Sequence, residues 1–208
     1  RGYVSGRSRW PTREFSFPAG PSRERVVIAE AEGGEVAGML ALVRINARQY
    51  DLARVELEAA AKEAPRHWLV EEALGYLAWH RSDWQRAQEH LRQAVARAPN
   101  PAPRLLWNAG RVDQFGGLRS PESAELLVRA MRARPQWMEP RIALAEQHLL
   151  RNQPSESLAL LERAPPVTPR YAARFHRATG FSEAMLGRAD AARRALDRAR
   201  EYESNAFD

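Results

Sequence analysis

Small apolar, large apolar and proline positions recur along this chain in a fixed order, Ala-x3-Leu-x2-Ala-x4-Pro. Ala53, Leu57, Ala60 and Pro65 fit it, as do Ala87, Leu91, Ala94 and Pro99. Ser123, Leu127, Ala130 and Pro135 follow, then Ser157, Leu161, Ala164 and Pro169. Ala192, Leu196 and Ala199 make a fifth copy with Ser204 at the proline position. Successive copies are offset by 34, 36, 34 and 35 residues, and a period of this length is the mark of a stacked repeat. Within each copy the first three positions fall at i, i+4 and i+7, one face of a helix. The proline cannot continue that helix and turns the chain into the next unit.

A second apolar helix precedes each of these. Ala41, Gly75, Ala145 and Gly180 stand twelve residues before the opening small residue, and Leu40, Leu74 and Leu144 precede the first three. In the third unit the equivalent pair is Asn108-Ala109, if the two extra residues fall in the turn Phe115-Gly116-Gly117-Leu118-Arg119. Paired helices approach closely where one offers a small side chain, so each unit reads as a helical hairpin. Ser120-Pro121 reads as an N-cap followed by proline at the first helical position. Pro165-Pro166 is expected to end the fourth hairpin's second helix early. Tyr50 and Trp84 share a column near the start of the second helix and are expected to plug the hairpin interior.

The arrangement resembles the tetratricopeptide repeat over about residues 34–206. It implies an all-α, right-handed α-solenoid of about five hairpins, with units near 34–67, 68–101, 102–137, 138–171 and 172–206. Residues 1–33 lie outside the pattern. Glu14-Phe15-Ser16-Phe17 alternates as a strand does, Pro18-Ala19-Gly20-Pro21 signals a turn, and Val26-Val27-Ile28 can pair back. A small β-hairpin and the remnant of an upstream domain both fit, the more so as the chain opens on Arg1 and not on methionine. At the other end no capping helix follows the fifth hairpin. Arg193, Arg194, Arg198 and Arg200 are expected to keep that end soluble, the alternative being that a partner or a missing segment covers it.

The net charge of +6 sits mostly at the start, where residues 1–25 carry six arginines against two glutamates. Lys62 is the only lysine. We read the arginine excess as the codon bias of a GC-rich, bacterial genome and not as a phosphate-binding surface, so nucleic acid is not the expected partner. No apolar run approaches the roughly 18 residues of a membrane span, and a soluble protein is expected. The absence of cysteine removes disulfides and thiolate chemistry but does not separate cytoplasm from periplasm. His67, His80, His90, His148 and His176 form no HExxH or other i, i+4 pair, and neither GxGxxG nor GxxxxGK[ST] occurs. No cofactor, metal or catalytic site is expected.

Surface chemistry remains. In the tetratricopeptide family the first helix of each hairpin lines a concave groove for extended or helical peptides. Carried onto this chain, the resemblance nominates Leu42, Ile45 and Asn46, then Glu72, Tyr76, Trp79 and His80. Leu106, Asp113 and Gln114 follow in the third unit, Ile142, Glu146 and Leu149 in the fourth, and Arg177, Phe181 and Met185 in the fifth. Tyr76 and Trp79 are either interface aromatics or packing against the neighbouring hairpin. Glu72, Asp113 and Glu146 point to an apolar or aromatic partner with basic side chains, and away from the family's basic carboxylate clamp. The expectation is a scaffold that binds a protein or peptide and mediates complex assembly. The alternative is an accessory domain of a larger enzyme or multi-domain protein. The ends of such an array are also surfaces through which copies can stack.

Overall fold

A computed structural model describes residues 12–15, 26–29, 33–63, 67–115, 120–164 and 167–204. The arginine-rich start, Pro65, the Gly116-Gly117 turn and Pro165-Pro166 lie outside the described residues. Among the described residues, strands β1 (Thr12–Phe15) and β2 (Val26–Ala29) pair antiparallel, with Thr12 opposite Ala29 and Phe15 opposite Val26. The first strand therefore begins two residues before Glu14, where the alternation had suggested it starts. Ten helices follow among the described residues: α1 (Gly33–Asn46), α2 (Tyr50–Glu63), α3 (Trp68–His80), α4 (Trp84–Arg97) and α5 (Pro103–Phe115), then α6 (Pro121–Ala133), α7 (Met138–Leu150), α8 (Pro154–Glu162), α9 (Pro169–Met185) and α10 (Ala189–Ser204). The chain divides into two compact units, residues 1–99 and 100–208. The first holds the hairpins α1/α2 and α3/α4, the second α5/α6, α7/α8 and α9/α10.

The ends of the helices follow from local chemistry. Ser120 caps α6 by accepting from Glu122 N at 3.2 Å, and Asp83 caps α4 by accepting from Arg86 N at 3.2 Å. Helix α8 stops at Glu162 after nine residues, short of the thirteen to seventeen of the others. Four hairpins turn the same way. The N–H groups of Gln49, Asp83, Gln153 and Arg188 each donate to the carbonyl five residues back, at 2.8–3.0 Å. The residue before each donor, Arg48, Ser82, Asn152 or Gly187, has φ between 58° and 76°. This Schellman-type closure satisfies carbonyls that the end of a helix leaves open.

Packing inside the hairpins uses the columns seen in the sequence. Leu57, Leu91, Leu127 and Leu161 are at most 2% exposed, and each such burial stabilises the fold by about 2 kcal/mol. The partner across the hairpin is the small residue. A Cβ placed on Gly75 would lie 2.7 Å from Leu91 Cγ, on Gly110 2.8 Å from Leu127 Cγ, and on Gly180 2.7 Å from Leu196 Cγ.

That geometry corrects the register of the third hairpin. Gly110, not Ala109, faces the leucine, so Gly75, Gly110, Ala145 and Gly180 follow one another at a constant 35 residues. Only one extra residue, not two, separates this position from the second helix.

In the second unit, where serine replaces alanine in the column, the hairpin contacts become polar. Ser123 Oγ donates to Gly110 O at 2.7 Å, and Gln147 Nε2 donates to the same carbonyl at 2.9 Å. Ser182 Oγ donates to Ser157 Oγ at 2.9 Å. These buried bonds tie α5 to α6 and α7, and α8 to α9.

Candidate functional site: a groove along α5, α7 and α9

The first helices of the hairpins carry their surface residues in columns counted from the small residue. One position after it stand Leu42, Tyr76, Arg111, Glu146 and Phe181; five after stand Asn46, His80, Phe115, Leu150 and Met185. In the second unit these columns except Met185, with Gln114, Leu149 and Arg174, line an open cavity of about 570 Å³. Phe115, Leu150 and Phe181 are 46%, 52% and 49% exposed around it. Three large apolar side chains gathered at one mouth differ from the singly scattered exposure common on protein surfaces.

The polar groups of the groove are held by partners. Arg174 grips the Glu146 carboxylate with two bonds, Nε to Oε1 at 2.6 Å and Nη2 to Oε2. Gln114 Nε2 donates to Ala143 O at 2.6 Å, joining α5 to α7. The Arg111 guanidinium lies 4.5 Å from the Trp107 ring centre and 4.9 Å from that of Phe115. Burial lowers its pKa from the ordinary arginine value, and so does the charge of Arg174, while Glu146 and Glu139 oppose both. Beneath it Trp107 meets Trp137 edge-on at 5.1 Å.

The other nominated residues are placed elsewhere. Asp113 is 2% exposed and Leu106 and Ile142 are core residues. The one-residue change of register turns Asp113 inward and brings Arg111 and Phe115 to the groove. Arg177 does not line the cavity and pairs with Glu203 of α10 at 2.9 Å. Met185 is exposed but outside the lining.

In the first unit Ile45 is core, Leu42 half-buried and Asn46 exposed. Tyr76 packs on the core and donates its hydroxyl to Glu72 Oε1 at 3.0 Å. Trp79 meets Trp84 edge-on at 5.6 Å. His80 is exposed, with Nδ1 3.2 Å from the Tyr50 hydroxyl. The remaining histidines serve local structure: His67 caps α3, His90 meets Glu71 at 2.8 Å, His148 meets Gln153, and His176 stacks on Tyr202.

Solved structures share this architecture. YrrB, described as a TPR protein with an unusual peptide-binding site, aligns with a TM-score of 0.70 at 14% identity, over 82% of this chain and 87% of its own. MamA from MSR-1 gives 0.70 at 20% identity, over 83% and 98%. Another MamA structure gives 0.69 at 15%, over 83% and 93%. The chain has the tetratricopeptide fold. No family model matches the sequence, and no curated protein matches it. Among the described residues of this tetratricopeptide array, no helix is long and apolar enough to cross a membrane.

Reading the sequence alone missed Arg111, Phe115, Leu150 and Arg174. The signal for the first three was present as the constant 35-residue spacing of Gly75, Gly110, Ala145 and Gly180, which sets their columns. Arg174 belongs to neither column, and only its reach to Glu146 reveals it.

Proposed function

We propose that this chain is a protein-interaction module that holds a segment of a partner protein in the groove of α5, α7 and α9. The observation that carries this reading is the cavity itself, rimmed by half-exposed Phe115, Leu150 and Phe181 over arginine and glutamate groups already fixed in position. Large apolar anchors with a few oriented polar groups are what a specific binding surface needs. The fold likeness to YrrB, a protein with a peptide-binding site, supports it.

A photo-reactive benzoylphenylalanine at Leu150, and the same group at the exposed Arg193 of α10, test the reading. Irradiation in an extract of source cells should join a discrete partner to the first variant and not to the second. Adding Phe115→Ser and Phe181→Ser should abolish that product while leaving the melting temperature within a few degrees. Equal labelling at both positions, or none at Leu150, would overturn the proposal.

A further inference from the structure

Resting on that reading, the geometry points to an occupant of defined chemistry: a through-running peptide stretch with two large apolar side chains and side-chain carboxylates between or beside them. The charges expected from the sequence favoured a basic partner, and the folded chain alters that balance. Asp113 is buried, which removes one of the expected anions. Glu146 is occupied by Arg174 through two hydrogen bonds. The cavity lining holds two guanidinium groups, Arg111 and Arg174, and one carboxylate, Glu146, while Glu139 outside the lining also acts on Arg111.

A lysine or arginine entering here must break a two-bond ion pair to reach Glu146. An entering carboxylate meets the charge of Glu146 but can take up the remaining donors of Arg174 with that ion pair intact. A guanidinium has five N–H donors, and the grip on Glu146 uses two of Arg174's, at Nε and Nη2. The side chain is 31% exposed, so a second acceptor can reach the rest. Glu146 then orients the arginine for a partner as well as neutralising it, as bidentate pairs do. The chain's own residues 1–25, with six arginines against two glutamates, carry the wrong charge for this groove.

Length follows from the helices. Phe115 stands on α5 and Phe181 on α9, with α7 between them. Packed helix axes lie 8–10 Å apart, so an occupant touching both phenylalanines spans roughly 16–20 Å. An extended chain rises about 3.4 Å per residue, which makes this about five or six residues. A segment of this length reaches both phenylalanines, and aspartate or glutamate side chains along it would supply the carboxylates.

Random peptides of about seven residues, displayed with both ends blocked by flanking sequence, would be selected on the full chain and on the Phe115→Ser/Phe181→Ser variant. Peptides that depend on the two phenylalanines should be net negative and contain two large apolar residues. One of them, synthesised with acetylated and amidated ends and labelled with fluorescein, should bind about tenfold more weakly to Arg174→Gln. Arg174→Lys should recover part of the loss, and affinity should fall as salt rises from about 50 to about 500 mM. Selected peptides that are neutral or basic, or an Arg174→Gln variant that folds and binds equally well, would overturn the acidic specificity and leave the groove reading standing. If no selected peptide depends on Phe115 and Phe181, the groove reading falls and this inference with it.

Discussion

Gly110→Ala tests whether the close approach of α5 and α6 sets the third hairpin. On an exposed helix the exchange stabilises by roughly 1 kcal/mol, because alanine is the better helix former. Here the new methyl would lie 2.8 Å from Leu127 Cγ, 3.0 Å from Leu127 Cδ2 and 2.9 Å from the backbone oxygen of Ser123. Leu127 is fully buried and has no room to swing away, and the Ser123 carbonyl is part of α6. The helices must part, and overpacking of this kind costs about 1–3 kcal/mol.

Parting them also stretches the bonds from Ser123 Oγ and Gln147 Nε2 to the Gly110 carbonyl, at 2.7 and 2.9 Å, each contributing about 1 kcal/mol. Set against the helix propensity, the expected outcome is a loss of about 2 kcal/mol. Hydrogen exchange at the α5 and α6 amides is the suitable assay, since an array of repeats need not unfold in one step. Leu127→Ala alone should cost about 2–5 kcal/mol. In the double variant the methyl occupies vacated space, so its loss should be smaller than the sum of the two single losses by at least about 1 kcal/mol. A Gly110→Ala variant that is more stable than the parent, or strict additivity, would refute the reasoning.

Two further outcomes follow from the structure. At Gly187 a Cβ would meet nothing within 4 Å, yet φ is +76°. Gly187→Ala should therefore lower stability by about 1 kcal/mol through backbone strain alone, whereas Ser82→Gly, at φ 58°, should be neutral or gain a few tenths of a kcal/mol; denaturant melts that show no loss for Gly187→Ala would contradict this. His176 lies in a smaller cavity with Arg194 and Arg198. Burial, then the charge of Arg198, holds its pKa below the ordinary 6.5, with Glu201 opposing. Its neutral form is thus the one the folded state favours. That contribution is complete above about pH 6.5 and is lost as pH falls through the lower folded value. His176→Phe should flatten the fall of melting temperature with acid, and a His176 NMR titration at or above the ordinary value would exclude the account.

The hairpins were legible because their columns are periodic. Leu57, Leu91, Leu127 and Leu161 each need a small residue opposite, and a helix repeats its faces every 3.6 residues. Where two small residues stood together, at Ala109-Gly110, pattern alone could not choose. Either fits a close contact, and the choice rotates the assigned face of α5 by about 100°. That step exchanged buried Asp113 for Arg111 and Phe115 at the groove.

The amino-acid order therefore determined the helices, their pairing and the identity of the packed leucines, since these depend on spacing within one hairpin. Tertiary structure decided which polar groups meet. The Arg174–Glu146 pair joins residues 28 positions apart on different hairpins, and Gln147 reaches back 37 positions to Gly110. Long side chains find such partners only once the helices are stacked, because their reach and direction are set by packing and not by period.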